Sequence, residues 1–204
     1  MKKWMMSVVM SVALLLTYPA HAGDAALYGA IAPANAGFFR IMNADSTPLS
    51  VEFNGKSFTL AGGNCSPYAF AVAGNYTLKL NGQALPLTLS KGSQQTFLWQ
   101  SGKATPVTEQ PFKDKAKARL ALYNLTTDAL SLQTAAGKSI IGPVQSAAFA
   151  SRDVNAVKMP FSVGKEGQVL ASTAPIMLKR GQATSLFALT VSGQTKISVV
   201  ETPQ

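Results

Sequence analysis

The chain has 204 residues and is basic, with 18 lysines and arginines against nine aspartates and glutamates, one histidine and one cysteine. A lone cysteine excludes an internal disulfide framework and any cysteine-built metal cluster, and a lone histidine leaves little for imidazole acid–base chemistry. With 47% hydrophobic residues, the composition is that of a chain that can build a core.

Lys2 and Lys3 open the sequence, an apolar run follows, and Pro19 precedes Ala20-His21-Ala22. This is the pattern of a secretory signal peptide, residues 1–22, cleaved after Ala22. The apolar run from Trp4 to Leu16, roughly 13 residues, is short of the ~20 that span a bilayer, so no direct membrane anchor is expected. Gly23 follows the cut, which excludes lipid attachment there. Cleavage removes two basic residues and His21, leaving a mature balance of 16 to nine with no histidine. A Ser-His-Asp or Cys-His mechanism and a histidine-built zinc site are then ruled out. The nine carboxylates are scattered singly, so no catalytic residue, cofactor or metal is expected.

Beyond the signal, short runs rich in Val, Leu, Phe, Thr and Tyr alternate with Gly, Asn and Pro, and no helical period is sustained. Phe38–Met42 reads as a strand. Leu49–Phe53 and Ser57–Leu60 read as a hairpin around Asn54-Gly55, because Asn-Gly accommodates the positive φ angles of a tight turn. The Gly62-Gly63 turn precedes Cys65, which reads as a small, partly buried residue rather than a reactive thiol. Tyr76–Leu80 and Leu85–Leu89 form a second hairpin around Asn81-Gly82, with Tyr76, Leu78 and Leu80 on one face. Thr96–Trp99 follows, Trp99 reading as core.

Two segments recur. Asn43–Val51 reappears as Asn124–Leu132, each after a strand, and Leu87–Gly92 reappears as Ile176–Gly181, each before an apolar strand, Thr96–Trp99 or Ser185–Leu189. The order is kept while the offset grows, so the chain is a duplication with an insertion in the second copy. The expected fold class is all-β: two tandem β-sandwich domains of immunoglobulin-like type, residues 23–105 and 119–204, each with roughly seven or eight strands. Pro106 and Pro111 place a Pro/Lys-rich linker at residues 106–118.

Lys113, Lys115, Lys117 and Arg119 are the densest charge; alternate spacing on an extended strand would point all four one way, toward an acidic polysaccharide or an acidic protein face, while the plainer reading is a linker kept soluble by its charges. Nucleic acid is not expected for an exported chain with so few aromatics. Lys179-Arg180-Gly181 reads as a charged turn.

Gly23-Asp24-Ala25-Ala26-Leu27-Tyr28-Gly29, Ala32-Pro33, Phe39-Arg40-Ile41-Met42-Asn43-Ala44, Pro111-Phe112-Lys113-Asp114-Lys115 and Leu122-Tyr123-Asn124-Leu125 together resemble the AlgF family, in order along almost the whole mature chain. The resemblance implies a periplasmic protein of alginate O-acetylation. It also implies an adaptor without catalytic motif, working beside a membrane-bound O-acyltransferase and periplasmic serine-hydrolase-like acetyltransferase proteins. Asp24, Tyr28 and the linker cations then become candidates for partner contact. Related assemblies acetylate other polymers such as cellulose. Two other functions fit less well. A pilus-type subunit chaperone would need a longer alternating strand than Phe97–Trp99 to grip a client. A Ser or Thr acetyl carrier would need an activating base that the sequence does not offer.

Overall fold

The structure, a computed structural model, describes residues 32–202, and the signal peptide, Asp24 and Tyr28 lie outside them. The described residues hold strands and no α-helix, and no helix among them is long and apolar enough to cross a membrane. The first half contains β1 (Ala36–Asn43), β2 (Leu49–Phe53), β3 (Lys56–Leu60), β4 (Ala69–Val72), β5 (Gly74–Leu80), β6 (Gln83–Leu89), β7 (Gln94–Gln100) and β8 (Lys103–Glu109). The second contains β9 (Ala118–Leu125), β10 (Leu130–Thr134), β11 (Ser139–Val144), β12 (Ala148–Val154), β13 (Lys158–Met159), β14 (Phe161–Lys165), β15 (Gln168–Ser172), β16 (Ile176–Met177), β17 (Ala183–Val191) and β18 (Gln194–Thr202).

Each half is a pair of four-stranded sheets. The first stacks β3-β2-β5-β6 on β4-β1-β7-β8, and the second stacks β11-β10-β14-β15 on β12-β9-β17-β18. The topologies correspond strand for strand, including a parallel pairing of β1 with β7 and of β9 with β17. The insertion in the second copy falls on either side of the β14–β15 hairpin, where β13 and β16 pair as a small ribbon.

Asn54-Gly55 and Asn81-Gly82 take positive φ at both residues and close the two expected hairpins. Leu49, Val51, Leu78, Leu80, Phe97 and Trp99 alternate inward to fill the first core, and Leu120, Leu122, Leu130, Leu132, Val163 and Leu186 fill the second. Cys65 is partly buried and donates its thiol hydrogen to the carbonyl of Ser66 at 3.4 Å.

The linker is shorter than its prolines suggest. Pro106 and Val107, expected in the linker, lie inside β8, which pairs with β7 from Lys103 to Glu109. Pro106 sits opposite Phe97 in a non-hydrogen-bonded pair of a two-residue hairpin, so its protonless nitrogen faces away from β7 and costs the ladder nothing. The connection between the sandwiches is Gln110–Lys117.

Candidate functional site

A third apolar cluster joins the two halves: Met42, Leu98, Val107, Ala121, Tyr123, Leu125, Phe187 and Leu189. These residues sit on the outer faces of β1, β7, β8, β9 and β17, so the two mixed sheets pack against each other. That burial on both faces explains why β1 and β9 are covered along nearly their whole length.

Within this contact lies a charged side chain. Arg40 is 1% exposed and projects from the outer face of β1. Its Nε donates to Thr96 Oγ1 at 2.9 Å, and its Nη2 donates to Tyr123 OH at 3.0 Å and Ser185 Oγ at 2.9 Å. Nη2 also lies 3.4 Å from Glu109 Oε1, forming a partly buried ion pair with β8. The guanidinium stacks over Tyr68, Tyr123 and Phe187 with centroid distances of 4.6, 5.4 and 5.3 Å. Glu109 Oε1 in turn accepts from Tyr68 OH at 2.8 Å and from the Thr96 hydroxyl. Tyr123, Ser185 and Phe187 belong to the second sandwich, the rest to the first, so a single guanidinium ties both halves.

Burial alone would lower the pKa of Arg40, but the fields of Tyr123, Tyr68 and Glu109 outweigh it and hold the cation more firmly than in free arginine. Burial is also the main force on Tyr68 and Tyr123; it pushes both phenols well above their ordinary range against the pull of Arg40. The Cys65 thiol is pushed up to about 11, chiefly by burial. The cluster therefore has a fixed cation, a carboxylate already accepting from three donors and hydroxyls that stay protonated. Such a set can orient and anchor.

A groove of about 640 Å³ opens above this network, with Phe38, Tyr68, Phe70 and Phe112 on its walls, Arg40 at its floor and Lys113 and Lys115 at its rim. The four expected linker cations do not form one stripe. Lys113 and Lys115 border the groove. Asp114 Oδ1 accepts from the backbone N–H of Ala116 at 2.8 Å, turning the chain at Lys115. Lys117 lies past this turn; it donates to Asn155 Oδ1 at 2.6 Å and borders a separate hollow of about 470 Å³ with Lys138 and Arg152. Arg119, at the start of β9, grips Asp153 through Nε at 2.8 Å and Nη2 at 3.2 Å, and stacks 4.8 Å over Phe112. Alternate spacing failed as a guide because the segment bends instead of running extended.

Lys179 pairs with Glu201 at 3.1 Å beside the expected Arg180-Gly181 turn. Trp99 is core, as expected. The sequence reading missed Arg40 and Glu109 as a pair. The available signal was a cation in the middle of the apolar strand Phe38-Phe39-Arg40-Ile41-Met42.

A family model described as "Alginate O-acetyl transferase AlgF" matches residues 7–185. The chain belongs to the AlgF family. The alginate biosynthesis protein AlgF of Pseudomonas syringae pv. tomato is 33% identical over 184 residues, covering 89% of this chain and 82% of that protein. AlgF of Pseudomonas aeruginosa is 32% identical over 180 residues, covering 87% and 83%. Among solved structures, the chain is similar to the C-terminal domain of P. aeruginosa AlgF at 25% identity and a TM-score of 0.40, covering 43% of this chain and 99% of that one. The N-terminal domain of the same AlgF gives 30% identity and a TM-score of 0.35, covering 39% and 100%. Arg40 and Phe112 fall within two of the segments that carry the resemblance in the sequence.

Proposed function

We propose that this AlgF-family chain is a non-catalytic adaptor for O-acetylation of an exported polysaccharide, acting in the periplasm. The names of its relatives favour alginate as the polymer. In this reading it holds a membrane-bound O-acyltransferase beside periplasmic serine-hydrolase-like acetyltransferase proteins, which carry out the chemistry. The observation that carries the reading is the Arg40 network. A convergence of hydroxyls, phenols and a carboxylate is committed to fastening two sandwiches together, with burial holding both phenols protonated. A double sandwich with a lysine-rimmed groove suits a part that positions other proteins. The signal-peptide pattern supports the periplasm, and Lys113 and Lys115 are the linker cations best placed to meet an acidic partner face.

The test is affinity capture of the tagged protein from cross-linked cell envelopes, with the captured proteins identified by mass spectrometry. A membrane acyltransferase or a serine-hydrolase-like protein should appear, and the double variant Lys113→Glu, Lys115→Glu should lose it. Incubation with an activated acetyl ester, followed by intact mass, should show no stable gain of one acetyl group. Such a gain would establish a carrier role instead.

A further inference from the structure

The strands at the sides of a sandwich each leave one flank unpaired, and this protein treats those flanks unequally. Pro86 in β6 stands opposite Thr77, and Pro106 in β8 stands opposite Phe97. Both hairpins close on two-residue turns, so each proline occupies a non-hydrogen-bonded pair and turns a protonless nitrogen outward. Natural sheets blunt their edges in this way. In the second sandwich, β11 carries Pro143 and pairs with β10 through two register shifts.

β3, the counterpart of β11, has neither device. Lys56 to Leu60 pair with β2 in unbroken register from Phe53↔Lys56 to Leu49↔Leu60. The same hairpin geometry directs the backbone groups of Lys56, Phe58 and Leu60 inward to β2 and those of Ser57 and Thr59 outward. Among the described residues, no hydrogen bond reaches that outer flank.

An apolar hollow lies beside it. About 300 Å³ opens between β3 and the start of β4, with Phe39, Phe53, Phe58, Pro67 and Tyr68 in its walls. Phe58 stands opposite the fully buried Val51, on the inward face of the sheet, yet it is 46% exposed. A chain laid along β3 would extend that sheet, and its alternate side chains would enter the hollow. Among the described residues that line the hollow, Lys56 is the single charge, and it is a cation.

We infer that the free flank of β3 receives an extended segment of a partner protein by strand addition. The segment places an apolar side chain in the hollow and a carboxylate on Lys56. This deepens the adaptor reading, on which it rests, by naming the gripping surface and the chemistry gripped.

The probe is a fluorescein-labelled decapeptide alternating valine or phenylalanine with aspartate or threonine, titrated into the mature protein and followed by anisotropy. Ser57→Pro removes one outward N–H at the kind of position where Pro86 and Pro106 already sit, so its melting curve should match the wild type. Its affinity for the peptide should fall about tenfold or more, as expected for lost main-chain hydrogen bonds and disturbed docking. Ser57→Ala should bind like the wild type. Phe58→Asp should bind less tightly, by a similar factor. Equal binding by the Ser57→Pro variant, or by a scrambled peptide of the same composition, would overturn the inference. So would a wild-type dimer that Ser57→Pro converts to a monomer, since a second copy would then occupy the flank. Envelope capture separates the two levels. Partners retained by wild type and Ser57→Pro alike keep the adaptor role and remove the β3 site. Peptide binding at β3 with no captured partner keeps the site and removes the adaptor role.

Discussion

Arg40 sits where an ordinary sandwich would place an aliphatic residue; at the matching position of the second copy stands Ala121, also on the contact face. A guanidinium in that setting is tolerated only because its donors are met by Thr96, Tyr123, Ser185 and Glu109. Removing one member leaves the rest buried without compensation. Arg40→Ala should therefore cost about 3–5 kcal/mol of stability by chemical denaturation, whereas Glu109→Gln, which keeps an acceptor in place, should cost clearly less. A loss under ~1 kcal/mol for Arg40→Ala would mean that the network is incidental. Cys65 offers a pH test at the same scale. Its folded pKa, about 11, lies above that of the unfolded thiol, so folding favours the protonated form. The contribution is complete below the unfolded value of roughly 8.5 and is lost as pH climbs through the folded one. A Cys65→Ala variant should lack that part of the alkaline decline, and thiol labelling of the native protein should be slow near pH 8 and quicken steeply toward pH 11.

Among the elements, the duplicated Asn turn shows what the repeat preserves. Asn43 is fully buried and donates from Nδ2 to the carbonyls of Thr47 at 2.9 Å and Leu60 at 3.1 Å, while its Oδ1 accepts from Asp45 N–H at 3.2 Å. Asn124 repeats the arrangement with Asp128 at 2.6 Å, Val144 at 2.8 Å and Thr126 N–H at 2.9 Å. One amide thus pins the turn after the first strand and reaches the third strand in each sandwich. Asn43→Ala and Asn124→Ala should each cost about 1–3 kcal/mol, because each removes the hydrogen bonds that a buried amide makes to its turn and to the third strand. Near-equal losses in thermal or denaturant melts would reflect the shared role; a neutral Asn124→Ala would break the equivalence. Hairpins were legible where Asn-Gly marked them. Ser101-Gly102, Glu166-Gly167 and Ser192-Gly193 make the same double positive-φ turns with residues whose side chains announce them poorly.

At the scale of the whole molecule, the third core makes the two sandwiches a joint structure. Met42, Leu98, Tyr123 and Phe187 bury the outer faces of two mixed sheets against each other, and the guanidinium of Arg40 crosses the seam. Calorimetry of the mature chain should show one transition whose van't Hoff and calorimetric enthalpies agree. Arg40→Ala combined with Phe187→Ala should split that transition in two. A wild-type protein that already melts in two steps would show that the seam does not couple the halves.

Local chemistry was enough to read the strands, the Asn-Gly hairpins, the duplication and the family. Period-2 alternation and turn residues act over a few neighbours and leave their mark in order along the chain. The same locality misplaced Pro106, because an outward proline on an edge strand and a proline in a linker look identical until the pairing partner is known. It also misread the basic segment, since an Asp114 turn decides where Lys113, Lys115, Lys117 and Arg119 point. Arg40 meets Ser185 across 145 positions of sequence, and Glu109 across 69. Contacts at such separations are made by sheet stacking, and stacking is where tertiary structure, rather than sequence pattern, chose which charges are buried together and which flank of β3 stays open.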